Sequence, residues 1–163
     1  MEDVSDDLVS FLRDRLDDSV VSVGFSASSD IGHADYAGAN SYPQIAVVSE
    51  DPQVPGGGQT QFTGMDGGGG GPIQDVIVSI LVDCWGGPTD HDAYTDVDVH
   101  PDLVAAELAT EVQQVCLAAS TVEPPDGYEW ISASPPQDAD DTERDAVHYR
   151  QQVAVRLKYT WTP

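Results

Sequence analysis

Apolar positions along the chain follow two periods, and the switches between them mark its elements. Leu8, Val9, Phe11, Leu12 and Leu16 recur at helical spacing and predict a short opening helix up to about Asp18. Ser5 stands where an N-cap belongs, and Asp6 and Asp7 follow where the helix dipole favours anions. Val21, Val23 and Phe25 then alternate, which predicts a strand over Val20–Ser26. Residues 27–42 keep neither period and read as a loop, after which Pro43 leads into a strand over Gln44–Ser49. From Asp51 to Pro72 only Gln59–Thr63 looks strand-like, and it lies between glycine clusters at 56–58 and 67–71. A stretch so rich in glycine is an arm that orders on contact with a neighbour.

Ile73–Trp85 predicts the central strand. It is β-branched and apolar on both faces around Val76–Val82, which implies cover on both sides. Gly86, Gly87 and Pro88 stop it and open an acidic loop over 86–100. The strongest helical pattern runs from Pro101 to about Ala119, with Leu103, Val104, Leu108, Val112, Val115, Cys116 and Ala119 as the buried stripe. Two strands close the chain, Tyr128–Ser134 and Val147–Trp161, joined by an acidic loop over 135–146. In the last strand Tyr149, Gln151, Val153, Val155, Leu157 and Tyr159 face one way, and Arg150, Gln152, Ala154, Arg156, Lys158 and Thr160 face the other. This order predicts an α+β fold: a mixed, mainly antiparallel sheet with two helices packed on one face and an extended Gly-rich loop. At 163 residues the chain fits one domain.

Charge changes the picture of where such a fold works. Six cations stand against 29 acids, Asp outnumbers Glu by 22 to 7, and Lys158 is the sole lysine. The acids are spread from Glu2 to Asp145 instead of forming a tail, which points to a protein adapted to molar salt, where self-repulsion is screened. The longest apolar run is too short to span a bilayer, and Met1–Asp7 is acidic where a signal peptide would be basic. The expectation is no membrane association and assembly in the cytoplasm of a high-salt host.

Candidate chemistry is sparse. No phosphate-cradling loop of the GxxxxGK[ST] type occurs, and Cys84 and Cys116 stand on separate elements as buried free thiols. His91, Asp92, Asp96, Asp98 and His100 share one loop and could ligate a divalent cation, but their spacing fits no EF-hand and an Asp-rich composition produces such clusters unaided. The expectation is therefore no metal, no cofactor and no catalysis. Arg150, Arg156 and Lys158 place half of the cations on the polar face of one strand. That is too narrow a patch for nucleic acid, which leaves a solvated face or a contact with an acidic neighbouring subunit. Together with the arm glycines Gly67, Gly68, Gly69, Gly70 and Gly71, these three cations are the candidate subunit interface.

The layout resembles the tail terminator, or tail-completion, proteins of long-tailed viruses, in a form suited to a haloarchaeal host. The segments that carry it are DLVSFLRDRL, YPQIAVVSED, the glycine-rich loop, IQDVIVSILVDCW, the helix after HPDLVAAEL and VHYRQQVAVRLKYTW. They cover nearly the whole chain, although no motif among them is diagnostic, and the long glycine arm and acidic surface depart from the family pattern. The resemblance implies a non-catalytic virion protein. It would form a hexameric ring at the neck, between the tail tube protein and a head-side connector protein, with genomic DNA passing through unbound. The alternatives are a head-closure or connector subunit of the same neck, and a stand-alone halophilic binding domain.

Overall fold

The computed structural model describes residues 4–16, 31–33, 43–48, 59–65, 74–86, 101–138 and 149–161. The first helix, α1 (Val4–Arg15), carries Asp6 and Asp7 in its first turn and Arg13 and Arg15 in its last, so both ends complement the macrodipole. Its apolar stripe is buried as the spacing predicts: Leu8, Val9, Phe11, Leu12 and, one turn on, Leu16. Ser5 is not the cap but lies fully buried inside the first turn, and the helix stops three residues short of Asp18. The expected strand at 20–26 falls outside the described residues.

Within the stretch expected to be loop, Ile31–His33 forms a strand, β1, parallel to β2 (Gln44–Val47). No period marks three residues; α1 fixes them instead. Arg13 donates from Nε and Nη2 to the Ile31 carbonyl at 3.1 and 2.6 Å, and His33 Nε2 meets Asp6 Oδ1 at 2.6 Å. The backbone edge of β1 is thus partly sealed by a helix side chain. Next come β3 (Gln59–Met65) and β4 (Gln74–Gly86). Both β2 and β3 pair antiparallel with the same edge of β4, β3 along 74–79 and β2 along 82–85.

The second helix, α2 (Pro101–Ala119), starts on its proline and buries Val104, Ala105, Leu108, Ala109, Val112, Cys116 and Ala119. Leu103, expected in that stripe, is 58% exposed on the outer face. The residue is apolar but its angle on the helix is wrong for the core, because the buried stripe is set by Val104, Leu108 and Val112. Ser120, at positive φ, ends the helix, and its carbonyl accepts from Ile131 N. A turn follows in which Tyr128 N bonds Pro125 O at 3.0 Å and Gly127 takes φ +89°, the left-handed position a type II turn reserves for glycine.

Strand β5 (Trp130–Ala133) and a two-residue β6 (Gln137–Asp138) share the outer edge of β7 (Tyr149–Trp161). The acidic loop expected from 135 thus begins with a strand. Between the two pieces Ser134 keeps the edge filled, its N–H donating to Ala154 O and its Oγ accepting from Ala154 N. The spine of the sheet is the β4–β7 ladder, unbroken from Gln74↔Trp161 to Gly86↔Tyr149, in a path β1-β2-β4-β7-β5. The fold is α+β, with a mainly antiparallel sheet and both helices on one face.

Register fixes that face. Val78 faces Leu157, Ile80 faces Val155 and Val82 faces Val153, all fully or almost fully buried in one core with α1 and α2. Truncating Ile80 or Leu157 to Ala would cost about 2–5 kcal/mol. The other face was expected to be covered as well, but its β4 positions Ile77, Ser79 and Leu81 are only half-buried. Among the described residues of this face, the end with Gln44, Ala46, Asp83 and Trp85 is buried. Ser79 and Asp83 break the apolar set on this face, so it offers no continuous surface for a second helical layer.

Candidate assembly face

The open face of the sheet is built from the outward positions of β7, read against their cross-strand partners. Arg150 stands opposite Trp85, Gln152 opposite Asp83, Ala154 opposite Leu81, Arg156 opposite Ser79 and Lys158 opposite Ile77. On the other side β5 places Ser132 opposite Arg156 and Trp130 opposite Lys158. Arg150, Arg156 and Lys158 therefore do share one face, as the alternation predicts. They are in three different electrostatic situations.

At one end the carboxylate of Asp83 is nearly buried, 7% exposed, and would be costly without compensation. Gln152 Nε2 donates to its Oδ1 at 2.8 Å, and Arg150 Nη1 lies 3.4 Å from its Oδ2. The Arg150 guanidinium is 5.4 Å from the Trp85 ring centroid, stacked over it. This end is a closed polar network that positions Arg150 as a structural cation. At the other end Lys158 Nζ lies 2.9 Å from Glu129 Oε2, and Thr160 Oγ1 donates to Glu129 Oε1. The bond from Thr160, then that from Lys158, holds the Glu129 carboxyl below its ordinary range.

The middle is different. Arg156 is exposed, and among the described residues it has no ion pair. The flanking positions, Ser79 and Ser132, are short and half-buried, so the arginine stands between two hydroxyl-bearing residues. Sequence reasoning found Arg156 by parity but missed Ser79, Ser132, Asp83 and Trp85, which are 24 to 77 residues away along the chain. The only signal for them is that Ser79 and Asp83 interrupt the odd-numbered positions of an otherwise apolar strand.

No protein-family model matches the chain, and no curated protein is detectably similar to it in sequence. The arm glycines Gly67 to Gly71, and His91, Asp92, Asp96, Asp98 and His100, lie outside the described residues.

Two hollows occur on the helical side. One, of about 350 Å³, lies between α1 and the 124–126 turn, lined by Asp7, Phe11, Asp14, Arg15, Pro125 and Asp126 among others. Asp7 and the cation are used locally: Tyr128 Oη donates to Asp7 Oδ2 at 2.7 Å, and Arg15 pairs with Glu123 at 2.7 Å while stacking on Phe11. The other, of about 320 Å³, runs along the outer face of α2 beside Leu103, Glu107 and Glu111. Each also holds a hydroxyl beside carboxylates, Ser10 with Asp7 and Asp14 in the first and Thr110 with Glu107 and Glu111 in the second, but Asp7 is engaged by Tyr128 and Thr110 Oγ1 donates to the Ala106 carbonyl at 2.9 Å, so the sheet face is the better candidate for function.

Proposed function

We propose that this chain is a ring-forming structural subunit of a virion, a tail terminator that closes the tail tube, joins it to the head and leaves a channel for the genome. The observation that carries the reading is the open face of the β4–β7 spine. Among the described residues the sheet is anchored by helices on one side only, and its other side presents a central exposed arginine in a chain that has six cations in all. A surface of that kind serves contact, not chemistry. The order of elements, a short helix, a sheet around two long strands and a long helix between them, supports the same reading. The acidic composition fits assembly in a high-salt cytoplasm, and a negative channel wall would let DNA pass without adhering, since phosphate contacts are what make binding tight.

The test is the mass and shape of the purified protein in molar salt. Light scattering is expected to give about six times the 17.4 kDa of one chain, and negative-stain images are expected to show rings with a central hole. Added to purified tail tubes, these rings are expected to cap tube ends; rings that bind only the head-side connector would shift the assignment to head closure. A monomeric mass at every salt and protein concentration would overturn the reading.

A further inference from the structure

We propose that the cross-strand row Ser79, Arg156, Ser132 is a carboxylate-binding contact, and that its occupant is an exposed Asp or Glu of a second copy of this chain. The proposal rests on the ring reading above and names the contact that would close the ring. It starts from how the scarce cations are used. Arg13 clamps the Ile31 carbonyl, Arg15 pairs with Glu123, Arg150 with Asp83 and Lys158 with Glu129. Of the five cations among the described residues, four tie one element of the chain to another, and Arg156 is the exception.

Register gives the exception its chemistry. Directly opposite residues on neighbouring strands have Cβ atoms about 5 Å apart, so Ser79 and Ser132 flank the stem of Arg156, and either hydroxyl can reach an anion that the guanidinium holds low over the strand. Arginine offers a planar fork that matches the two oxygens of a carboxylate, and the hydroxyls can donate to the remaining lone pairs. Both serines are short enough to leave the fork accessible from solvent.

Charge selects the occupant. Among the described residues the three cations of this face are offset by Asp83 and Glu129, so one uncompensated charge remains there, at Arg156. One cation neutralises one phosphate, and affinity for nucleic acid grows with the number neutralised, so this face is a poor match for a nucleic acid backbone. It is a good match for a single carboxylate. A second copy brings 29 acids against six cations, and two such chains can approach without net repulsion at the contact only where a cation faces the neighbour.

The experiment uses the full chain in molar sodium chloride, with sedimentation for self-association and circular dichroism as a check on folding. Arg156→Glu is expected to stay folded and to lose self-association by about 30-fold or more. Arg156→Gln, which removes the charge without reversing it and guards against misfolding, is expected to lose somewhat less. Arg156→Lys keeps the charge but not the fork and is expected to fall between wild type and Arg156→Gln. Ser79→Ala and Ser132→Ala are each expected to weaken association by roughly ten-fold, the usual effect of one hydrogen bond to a charged group. Wild-type-like rings from Arg156→Glu would overturn the contact and leave the ring reading standing, whereas a wild type that never associates would overturn both. A labelled 20-base-pair duplex is the third arm: binding that Arg156→Glu abolishes while self-association persists would give the row to phosphate and overturn the proposal.

Discussion

Cys116 on α2 and Cys84 on β4 are both buried in the core, and burial pushes the Cys116 thiol from its ordinary 9.0 up to about 12. Burial raises Cys84 well above its ordinary value too, with Asp83 and Cys116 adding to it. Both therefore act as small hydrophobes at neutral pH, and the folded state keeps protons that the unfolded state sheds from about pH 9 upward. Their contribution is fully present below that value and is lost as pH rises towards the folded values, at up to about 1.4 kcal/mol per pH unit for each thiol. Denaturant midpoints between pH 8 and 11 are expected to fall more steeply for wild type than for the Cys84→Ala, Cys116→Ala double variant. Equal slopes would show that the thiols ionise alike folded and unfolded. Iodoacetamide at pH 8 is expected to label neither cysteine until denaturant is added.

At the level of elements, β1 depends on α1 in a way that one substitution can measure. Arg13 reaches the Ile31 carbonyl with two N–H groups, and a hydrogen bond to a charged donor is worth about 1.5–3 kcal/mol. Arg13→Ala is expected to lower stability by about 2 kcal/mol in urea titrations at high salt, while Arg15→Ala, whose pair with Glu123 is exposed, is expected to lower it by under about 1 kcal/mol. Equal losses would show that the clamp on β1 is no stronger than a surface pair. The same contact explains what the sequence could and could not convey. The bounds of α2, the alternation of β7 and the core stripe of α1 are periodic over many residues, so their placement follows from local pattern alone. Three-residue β1 and two-residue β6 have no period; they exist because Arg13 and the free edge of β7 recruit them. The candidate site was half legible for the same reason. Parity along β7 put Arg150, Arg156 and Lys158 on one face, but which of them is spoken for depends on Asp83 and Glu129, brought alongside only by register.

For the whole molecule the question is whether a chain of net charge −23 holds together outside molar salt. Two electrostatic effects of opposite sign compete as salt is lowered. Ion pairs gain strength, and three between side chains of fixed charge are present among the described residues: Arg15 with Glu123, Arg150 with Asp83 and Lys158 with Glu129. Two of them, Arg15 with Glu123 and Lys158 with Glu129, have at least one side chain two-fifths or more exposed, so each is worth under about 1 kcal/mol. Against them stands repulsion among the surplus acids, which acts over the whole surface once the Debye length grows from about 3 Å at 1 M to about 10 Å at 0.1 M. Repulsion wins on number, and more so in a ring, where six copies would carry 6 × −23, or −138, formal charges. Lowering salt from molar to about 0.1 M is therefore expected to dissociate the proposed ring first and then to erode the circular dichroism signal of the monomer, since the proposed contact depends on one exposed cation and the fold on a continuous core. Magnesium at millimolar concentration, which screens poorly at that ionic strength, is expected to restore neither unless carboxylate clusters bind it site-specifically. Spectra and mass that stay constant from 3 M to 0.1 M would mean that the acids are tolerated for some reason other than screening, and that the high-salt host assigned to this protein is wrong.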